Sequence, residues 1–411
     1  MKLLKIDKRK KLYCLITLLI LLILFYVVLT IYNIRSVKKY DNLILPKTFI
    51  EHIDFSNYSF EDSKKIILFY QDSVLEKKVT LKVNNQDLEY TLKDLGVVID
   101  QDKTLNKIKD YQKNLSYNKK LMAINGNASS DFTFSYQYSE DMFRTFLTGL
   151  KEKCDVNPVD GYFDTSEGVR YQAGVNGYSL KIDESLKVIL DFFNNGFVEG
   201  GIINLDGDSI GANTNDIYTS IDTLTSQFVT TFMPNTYLRN INLNTALGYI
   251  NGTVVLPGEV FSYCNKAGPF NKAGYVFYYE FVGNGVCQIA TTTYNAALLG
   301  GLEIVKRYPH DKKSLYVDGG LDATVASYSS GWCVDMQFKN TYEYPIYIKA
   351  YSEGGRAHVE FWSNSQAKNG YEYTTSSKQI GAIGYKSYLH TWKDGVEVDV
   401  HEIATTWYTK D

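Results

Sequence analysis

Residues 283–301 have the sequence GNGVCQIATTTYNAALLGG. Glycines flank both ends of this stretch, and Ile289, Ala296 and Leu299 recur within it at helical spacing. The pattern predicts a flexible loop, then Cys287, then a helix of about three turns. It is the clearest helix signal in the C-terminal half of the chain.

The segments around this helix predict β-structure. Residues 252–262 have the pattern of a strand followed by a Pro-Gly turn, and residues 334–362 alternate short strands with Asn-Thr and Gly-Gly turns. We therefore expect a mainly antiparallel β domain at residues 216–365 that contains this one helix. Hairpin patterns continue to the end of the chain and predict a β extension of the domain at residues 366–411.

The upstream part predicts smaller units of mixed structure. Alternating apolar residues in 79–92, interrupted by Asn84-Asn85, predict a hairpin. A strand, an Ile-Asp pair and a helical pattern occur around residues 99–100 and again around 182–183. We expect two related α+β modules within residues 66–200, with two unrelated units as the alternative. The fold class of the whole chain is therefore α+β.

The N-terminus has the pattern of a membrane anchor. Residues 2–11 carry six Lys or Arg and one Asp, a net charge of +5, and residues 12–34 are 23 positions without a charge. About 20 apolar residues span a bilayer as a helix. No small-x-small cleavage site precedes Arg35, and the basic residues favour a cytoplasmic tail. We expect a cytoplasmic tail at 1–11, a single transmembrane helix at 12–34, a stalk at 35–65 and an extracytoplasmic body.

The overall composition excludes several classes of protein. The 411 residues have a net charge of −3, which leaves −8 outside the basic tail, and this argues against a nucleic-acid binder, which would usually show a basic stripe. The 34 Tyr and 21 Phe residues argue against a disordered chain. Five cysteines are too few for a disulfide-framework scaffold. Four cysteines lie outside the predicted span: Cys154, Cys264, Cys287 and Cys333. They can form at most two disulfides, and it is equally possible that one of them is a lone reactive thiol.

Cys287 is the strongest candidate for chemistry. The unpaired N–H groups at a helix start lower the pKa of a thiol there and can also receive an oxyanion. A nucleophilic thiol also needs a base and a group that orients the base. His310, which follows Pro309 and lies 23 residues after Cys287, is the candidate base. Asp322 is the candidate orienting carboxylate, and Asp311 is its rival.

A structural interpretation of these residues stays open at this point. A lone Cys is most often a small buried hydrophobic residue, and a lone His is most often a surface or core residue whose hydrogen bonds are satisfied. No CxxC, HxxxH or HExxH spacing occurs in the chain. We therefore expect neither a metal site nor a cofactor.

Between about Gln227 and Trp362, an ordered series of motifs that includes Gly285-Val286-Cys287-Gln288, His310 and Asp322-Ala323-Thr324-Val325 resembles the VanW-domain family. Asn284 departs from the family pattern, where a third glycine is usual, and Ala290 stands where Ser is common. The two upstream modules resemble peptidoglycan-binding domains that precede L,D-transpeptidase or VanW domains. The matching motifs follow one another in order: Arg239-Asn240-Ile241-Asn242, Pro257-Gly258-Glu259-Val260-Phe261-Ser262, Gly268-Pro269, Gly285-Val286-Cys287-Gln288, Thr291-Thr292, Tyr294-Asn295-Ala296-Ala297, His310 and Asp322-Ala323-Thr324-Val325.

This resemblance implies a membrane-anchored L,D-transpeptidase that faces the cell wall. Cys287 would attack a donor tetrapeptide stem and release D-Ala, and an acceptor stem would then take the acyl group to form a 3–3 cross-link. His310 would act as general base and acid, with Asp322 as its orienting group. The partners would be peptidoglycan stem peptides and the cell membrane. The candidates for oxyanion or substrate binding are Gly285, Gln288 through its N–H, Thr291, Thr292, Arg239 and Arg307.

Two other functions remain open from the sequence. A non-catalytic peptidoglycan-binding scaffold would have Cys287 buried as a structural residue. A cysteine peptidase of stem peptides would use the same Cys and His but pass the acyl group to water. The sequence does not determine which acceptor the site would admit.

Overall fold

The computed structural model describes residues 8–233, 235–279, 281–328 and 330–409 and divides into two compact units. The first unit comprises the chain up to Asn157 together with Gly177–Ile210, and the second comprises Pro158–Asn176 together with the chain from Gly211 onward. Helices and short sheets occur in both units, and the sheets of the C-terminal part are antiparallel. The predicted α+β class is confirmed.

The first helix, Lys8–Lys39, is long and apolar. It has 32 residues, and none of its side chains is buried. A helix in the core of a globular protein would be covered, so this one suits a membrane span or a signal sequence by length and composition. Residues 1–7 of the predicted basic tail lie outside the described residues.

The first unit packs five further helices against short strands around one hydrophobic core. The helices span Phe60–Leu75, Gln101–Asn114, Tyr117–Ile124, Glu140–Cys154 and Ile182–Asn194. The strands span Thr48–Ile50, Ile53–Asp54, Lys78–Val83, Gln86–Thr91, Val98–Ile99, Ser130–Phe132, Tyr136–Gln137, Gly177–Leu180, Ile202–Asn204 and Gly207–Ile210.

The predicted hairpin is present, and one core serves both of the predicted modules. The strands at 78–83 and 86–91 pair across Asn84-Asn85, whose φ angles of 47° and 59° are left-handed. Ile108 of one Ile-Asp helix and Ile189 of the other lie in the same core. Residues 158–176, inside the predicted boundaries of the modules, belong to the second unit.

The stalk predicted at residues 35–65 needs correction. Ile44, Ile50 and Phe55 are fully buried in the core of the first unit. A strand pair forms there as well, because the apolar residues alternate with polar ones over a short distance. The segment after the first helix is therefore folded structure rather than a spacer.

The second unit is built on antiparallel sheets. One sheet has the strand order 223–231, 356–363, 346–353 and 253–255, and another has the order 260–262, 337–339 and 303–306. Three long strands, Tyr371–Ile380, Gly384–Lys393 and Val396–Trp407, form the C-terminal sheet. The shorter strands span Tyr162–Asp164, Arg170–Gln172, Phe277–Tyr278, Phe281–Val282, Ala326–Ser327 and Cys333–Val334.

Among the described residues, the second unit contains three helices in addition to the single helix that the sequence analysis predicted. Val286–Leu299 matches the predicted helix, and the unit also contains Tyr237–Ile250, the short helix Tyr263–Ala267 and the 3-10 helix Asp216–Ser220. The Asn and Thr residues of 237–250 weakened the apolar pattern on which prediction depends. Asn242 in this helix is fully buried, and the fold tolerates its burial because the side-chain amide is hydrogen-bonded.

The helix Val286–Leu299, termed the central helix from here on, runs through the core of the second unit. All of its residues from Val286 to Leu298 are buried, with Cys287 as the exception. It packs against the strands at 223–231 and 356–363. Two of its buried hydroxyl groups are satisfied within the helix, since Thr292 and Thr293 donate to the carbonyls four residues earlier. The core therefore holds the helix on every side and leaves its second residue accessible.

Truncation of Phe338 should destabilise the second unit. Phe338 is fully buried; its ring stacks on Phe261 with centroids 4.9 Å apart and packs at a tilt against Phe361 with centroids 5.1 Å apart. We expect Phe338→Ala to lower the free energy of unfolding by about 3–5 kcal/mol, measured by denaturant unfolding followed by near-UV circular dichroism. The matched control is Phe277→Ala, at an exposed position. Equal losses for the two variants would contradict this description of the core.

Candidate active site

The loop before the central helix is held in a tight conformation. Gly285 caps the helix at a left-handed φ of 113°, and a Cβ there would lie 2.9 Å from Cγ of Arg239. Such a backbone position favours glycine. Nδ2 of Asn242 donates to the carbonyls of Val276 and Asn284 at 3.0 Å each and so fixes the loop to the neighbouring helix.

This loop delivers Cys287 as the second residue of the central helix. Its thiol is half-buried, and its Sγ accepts the Val325 N–H at 3.4 Å and lies 3.5 Å from Oγ1 of Thr324. The imidazole of His310 lies close enough to the thiol to lower the pKa of Cys287. The structure therefore brings together the cysteine and histidine that the sequence analysis singled out.

Asp322 fixes the orientation of His310. One carboxylate oxygen, Oδ2, lies 2.7 Å from Nδ1 of His310 and accepts the backbone N–H of the same residue at 2.7 Å. Two contacts to one residue define both the position and the rotation of the ring. With Nδ1 engaged by the carboxylate, Nε2 is the nitrogen left for the thiol.

The carboxylate of Asp322 is fully buried and has a second set of donors. Its Oδ1 accepts from the Tyr408 hydroxyl at 2.6 Å and from Nη2 of Arg307 at 3.1 Å. Tyr408 in turn accepts the N–H of Gly320 at 2.7 Å. A buried charge is tolerated when each of its acceptor positions is paired, which is the case here.

The hydrogen bonds shift the pKa values of the thiol and the imidazole toward an ion pair. Burial would raise the pKa of Cys287, but the hydrogen bond and charge of His310, with Thr324 and Val325, hold it below its ordinary value. Burial would lower the pKa of His310, but Asp322 and Cys287 raise it to about 9. Near neutral pH this arrangement favours a thiolate beside an imidazolium, the reactive form of a cysteine nucleophile.

Asp322 itself stays ionised at neutral pH. Burial would raise the pKa of its carboxyl, but hydrogen bonds from His310 and Tyr408, together with the charge of Arg307, lower that pKa instead. The imidazolium of His310 therefore faces a permanent negative charge. This charge stabilises the protonated imidazole that forms whenever the base takes up a proton.

Cys287 opens into a cavity of about 820 Å³. The described lining residues include three cations, Arg239, Lys312 and Lys313, and neither Asp nor Glu. Such a cavity is large enough for a short peptide and favours an anionic ligand. The other lining residues are Pro269, Phe270, Asn271, Val282, Gly283, Asn284, Gly285, Val286, Gln288, His310, Ser314, Tyr316, Val325, Ala326, Ser327 and Tyr328.

Arg239 lies on the wall of this cavity beside Cys287. Its Nη2 donates to Oε1 of Gln288 at 2.9 Å, and burial lowers the pKa of its guanidinium. Nε2 of Gln288 donates to the Thr231 carbonyl at 2.8 Å, so the glutamine itself is anchored. One end of the guanidinium is therefore fixed by a neutral amide while the residue faces the cavity.

Four predicted binding roles need correction. The Gln288 N–H donates to the Gly285 carbonyl at 3.0 Å, so it is not available to an oxyanion. Thr291 and Thr292 are fully buried, away from the cavity, where they bond to Ala323 and Gln288. Arg307 lies behind Asp322 and donates to its side chain, to its carbonyl at 2.6 Å and to the Gly320 carbonyl at 3.0 Å. It supports the carboxylate instead of facing the cavity.

The remaining cysteines separate into one pair and two free thiols. Cys264 and Cys333 form a disulfide with a Cα–Cα distance of 6.5 Å. Cys14 and Cys154 are free thiols, as Cys287 is. Cys333 lies in the hairpin that includes the lining residues Ala326 and Ser327. Within the described residues, no cluster of three or more His, Cys, Asp and Glu side chains is arranged to hold a metal ion.

Sequence reasoning missed the residues that contribute through space. Tyr408 lies 86 positions after Asp322, and Asn242 lies 42 positions before the loop residue whose carbonyl it holds. No spacing rule connects such pairs. The rival carboxylate Asp311 is not among the lining residues of the cavity, and its carbonyl accepts from Thr409.

The region that holds the thiol, the imidazole and the carboxylate matches a known domain. The family model described as "VanW like protein" matches residues 238–362, which include all three groups. The chain contains a VanW-like domain. Tyr408 and Thr406, which contact Asp322 and Arg307, lie beyond the matched residues, in the C-terminal segment. The site therefore extends past the VanW-like domain as that model delimits it.

Upstream of the VanW-like domain, residues 88–196 match a model described as "Putative peptidoglycan binding domain". Among curated proteins, the chain is 34% identical over 149 residues to "Uncharacterized protein YoaR" of Bacillus subtilis strain 168. That alignment covers 34% of this chain and 47% of the relative, so the chain matches about half of the relative's length. No solved structure matches the chain.

Alkylation tests the ion pair directly. Because the pKa of Cys287 is lowered, its reaction with iodoacetamide should remain fast as the pH falls below the ordinary thiol range, and should decline only through the lowered pKa. His310→Gln removes the hydrogen bond and the charge, and should move this decline to higher pH. The measurement is the rate of modification of each cysteine against pH, by peptide mass spectrometry of the full-length protein in detergent.

Cys154 is the internal control for this measurement, because it is buried and its burial raises the pKa of its thiol. It should react more slowly than Cys287 at every pH below 8. A His310→Gln profile that overlays the wild-type profile would contradict the ion pair.

Proposed function

We propose that this protein is a cysteine-dependent acyl transferase of peptidoglycan stem peptides, an L,D-transpeptidase that forms 3–3 cross-links. The observation that carries the proposal is the placement of Cys287 and His310 in the lining of one cationic cavity, with the imidazole hydrogen-bonded to the buried carboxylate of Asp322. The match of the upstream residues to a peptidoglycan-binding description supports the cell wall as the location of the substrate.

The reaction begins with the thiolate of Cys287. Its sulfur attacks the carbonyl carbon that joins the third residue of a donor stem to the terminal D-Ala, and the carbonyl oxygen becomes an oxyanion. His310 gives its proton to the amine of the leaving D-Ala, the C–N bond breaks, and a thioester on Cys287 remains. His310 is then neutral and can accept a proton.

In the second half of the reaction, His310 changes from proton donor to proton acceptor. The side-chain amine of an acceptor stem attacks the thioester carbonyl, and His310 takes the proton that the amine loses. The C–S bond breaks, the thiolate returns and a new peptide bond joins the two stems. One peptide bond replaces another, so the reaction needs no external energy source.

The backbone N–H of Cys287 is the best candidate donor to the oxyanion. In the part of the chain that the structure describes, this N–H has no acceptor, whereas the N–H groups of Val286 and Gln288 donate to loop carbonyls. It lies in the first turn of the central helix, where the helix dipole also favours a negative charge. This assignment replaces the Gln288 N–H as the oxyanion donor.

We also propose that the helix Lys8–Lys39 anchors the protein in the cell membrane with the body on the outer side. Its side chains are not buried in the protein, and the disulfide between Cys264 and Cys333 suits an oxidising exterior. Anchoring would keep the cavity close to newly made wall.

A non-catalytic scaffold is the competing function, and the half-buried, cavity-facing position of Cys287 argues against a purely structural thiol. A peptidase would release free tripeptide stems with the same residues, because water would accept the acyl group. Product analysis distinguishes all three.

Loss of the thiol should abolish cross-linking. We expect full-length protein in detergent to convert disaccharide-tetrapeptides into cross-linked dimers plus D-Ala, and Cys287→Ala to lower that rate at least about a thousandfold. Cys154→Ala, which removes a thiol from the first unit, is the matched control and should retain the wild-type rate. Products are quantified by mass spectrometry. Dimer formation by Cys287→Ala would refute the nucleophile, and tripeptides without dimers would indicate a peptidase.

Arg239 should contribute to binding of the donor stem through one of its carboxylates. We expect Arg239→Gln to raise KM about tenfold and to change kcat by less than about threefold, because a charge-assisted hydrogen bond made in both ground and transition state is lost. Amidation of the stem carboxylates should raise KM for the wild type but not for the variant. Arg356→Gln, at an exposed hairpin position, is the control. An equal response of Arg239→Gln and wild type to amidation would exclude this role.

A further inference from the structure

A second cavity, of about 400 Å³, lies in the first unit. Most of its lining residues fall within residues 88–196, the segment that matches the peptidoglycan-binding description. It combines aromatic rings with charged groups, as ligand pockets commonly do. We call it the aromatic cleft and define it by Glu51, Lys77, Lys103, Ser135, Tyr136 and Phe197.

A shielded ion pair lies at the aromatic cleft. Nζ of Lys77 is bonded to Oε2 of Glu51, and the two side chains are only 19% and 20% exposed. Nζ also lies 3.4 Å from the hydroxyl of Tyr136. Because a pair that is largely withdrawn from water contributes little net stability, it is better explained as a fixed set of hydrogen-bonding groups.

The hydroxyl of Ser135 is an unused hydrogen-bonding group at the same place. Ser135 is 5% exposed and belongs to the lining of the cleft. Its Oγ has no hydrogen-bond partner among the residues that the structure describes. Buried hydroxyl groups in folded proteins are normally paired, so this one points to a ligand that would complete its bonding.

Aromatic rings form another part of the lining. Tyr136 and Phe197 contact edge to face with centroids 5.4 Å apart, and Phe197 stacks on Phe193 at 6.0 Å. Rings held by such contacts present fixed, amphipathic surfaces at little entropic cost. The apolar faces of sugar rings fit surfaces of this kind, while their hydroxyl and acetamido groups need hydrogen bonds nearby.

We propose that the aromatic cleft binds the glycan strand of peptidoglycan, a chain of N-acetylated amino sugars. The proposal rests on the peptidoglycan association in the proposed function and assigns it to a specific site. Sugar faces lie on Tyr136 and Phe197, and the acetamido groups bond to Ser135 and to the pair of Lys77 and Glu51. The exposed Lys103 faces the carboxylates that the glycan strand carries through its lactyl-linked stems.

Ser135→Ala tests the proposed binding site without breaking a hydrogen bond of the protein, because the hydroxyl that it removes has no partner among the described residues. We expect Ser135→Ala with Lys103→Ala to weaken binding of the full-length protein to purified cell-wall sacculi about tenfold, with an unchanged melting temperature. Lys119→Ala, at an exposed position on a different cavity, should bind as the wild type does. Binding is measured by co-sedimentation at a fixed salt concentration.

Competition identifies the part of peptidoglycan that is bound. A tetramer of N-acetylglucosamine should displace the wild-type protein from sacculi, and free stem tetrapeptide should not. Displacement by the stem peptide alone, or equal binding by the double variant and wild type, would overturn the assignment. The binding assay uses protein that also carries Cys287→Ala, so it measures binding to sacculi independently of catalysis. The cross-linking assay uses soluble substrates, so it measures catalysis independently of binding at the aromatic cleft.

Discussion

The buried carboxylate of Asp322 is the interaction on which the geometry of the candidate active site depends. Its two oxygens accept hydrogen bonds from Arg307 and His310, which are neighbours in one segment, and from Tyr408, which lies 86 residues after Asp322. An unpaired carboxylate at this depth would be strongly destabilising, so each donor must be in place for the unit to fold. The same requirement sets the position of the imidazole. Folding and alignment of the site are therefore achieved by one set of contacts.

The central helix contributes the complementary constraint. Its neighbours bury it on all sides, so the thiol at its second position cannot move without disturbing the core. Loops commonly carry functional groups, but here a rigid helix holds the thiol of Cys287 and the adjoining loop shapes the space in front of it. A site of this kind keeps its distances without relying on the ligand to organise it.

Sequence patterns predicted the parts of the molecule that are local. The loop and helix around Cys287 follow from glycine placement and helical spacing, and the hairpin at residues 78–91 follows from alternation and its Asn-Asn turn. The positions of His310 and Asp322 after Cys287, together with the resemblance to a known family, led to the same His and Asp that the structure brings to the thiol. The predictions for Thr291, Thr292, Arg307 and the Gln288 N–H were wrong, because residue type alone does not reveal which hydrogen bonds are already occupied. The helix at 237–250 and the folded segment at 44–55 were missed because buried polar residues and short strands weaken periodicity.

The disulfide between Cys264 and Cys333 and the free thiol of Cys287 occur in the same unit. Both cysteines of the bridge already have a partner, and the described free thiols other than Cys287 lie in the first unit. Three cysteines in one unit allow three pairings, and the folded unit selects one of them: it joins Cys264 to Cys333 and leaves the thiol of Cys287 in hydrogen bonds with Thr324 and Val325. Thiol–disulfide exchange requires a thiolate with access to the disulfide, so the folded position of Cys287, rather than the number of cysteines, keeps its thiol unpaired.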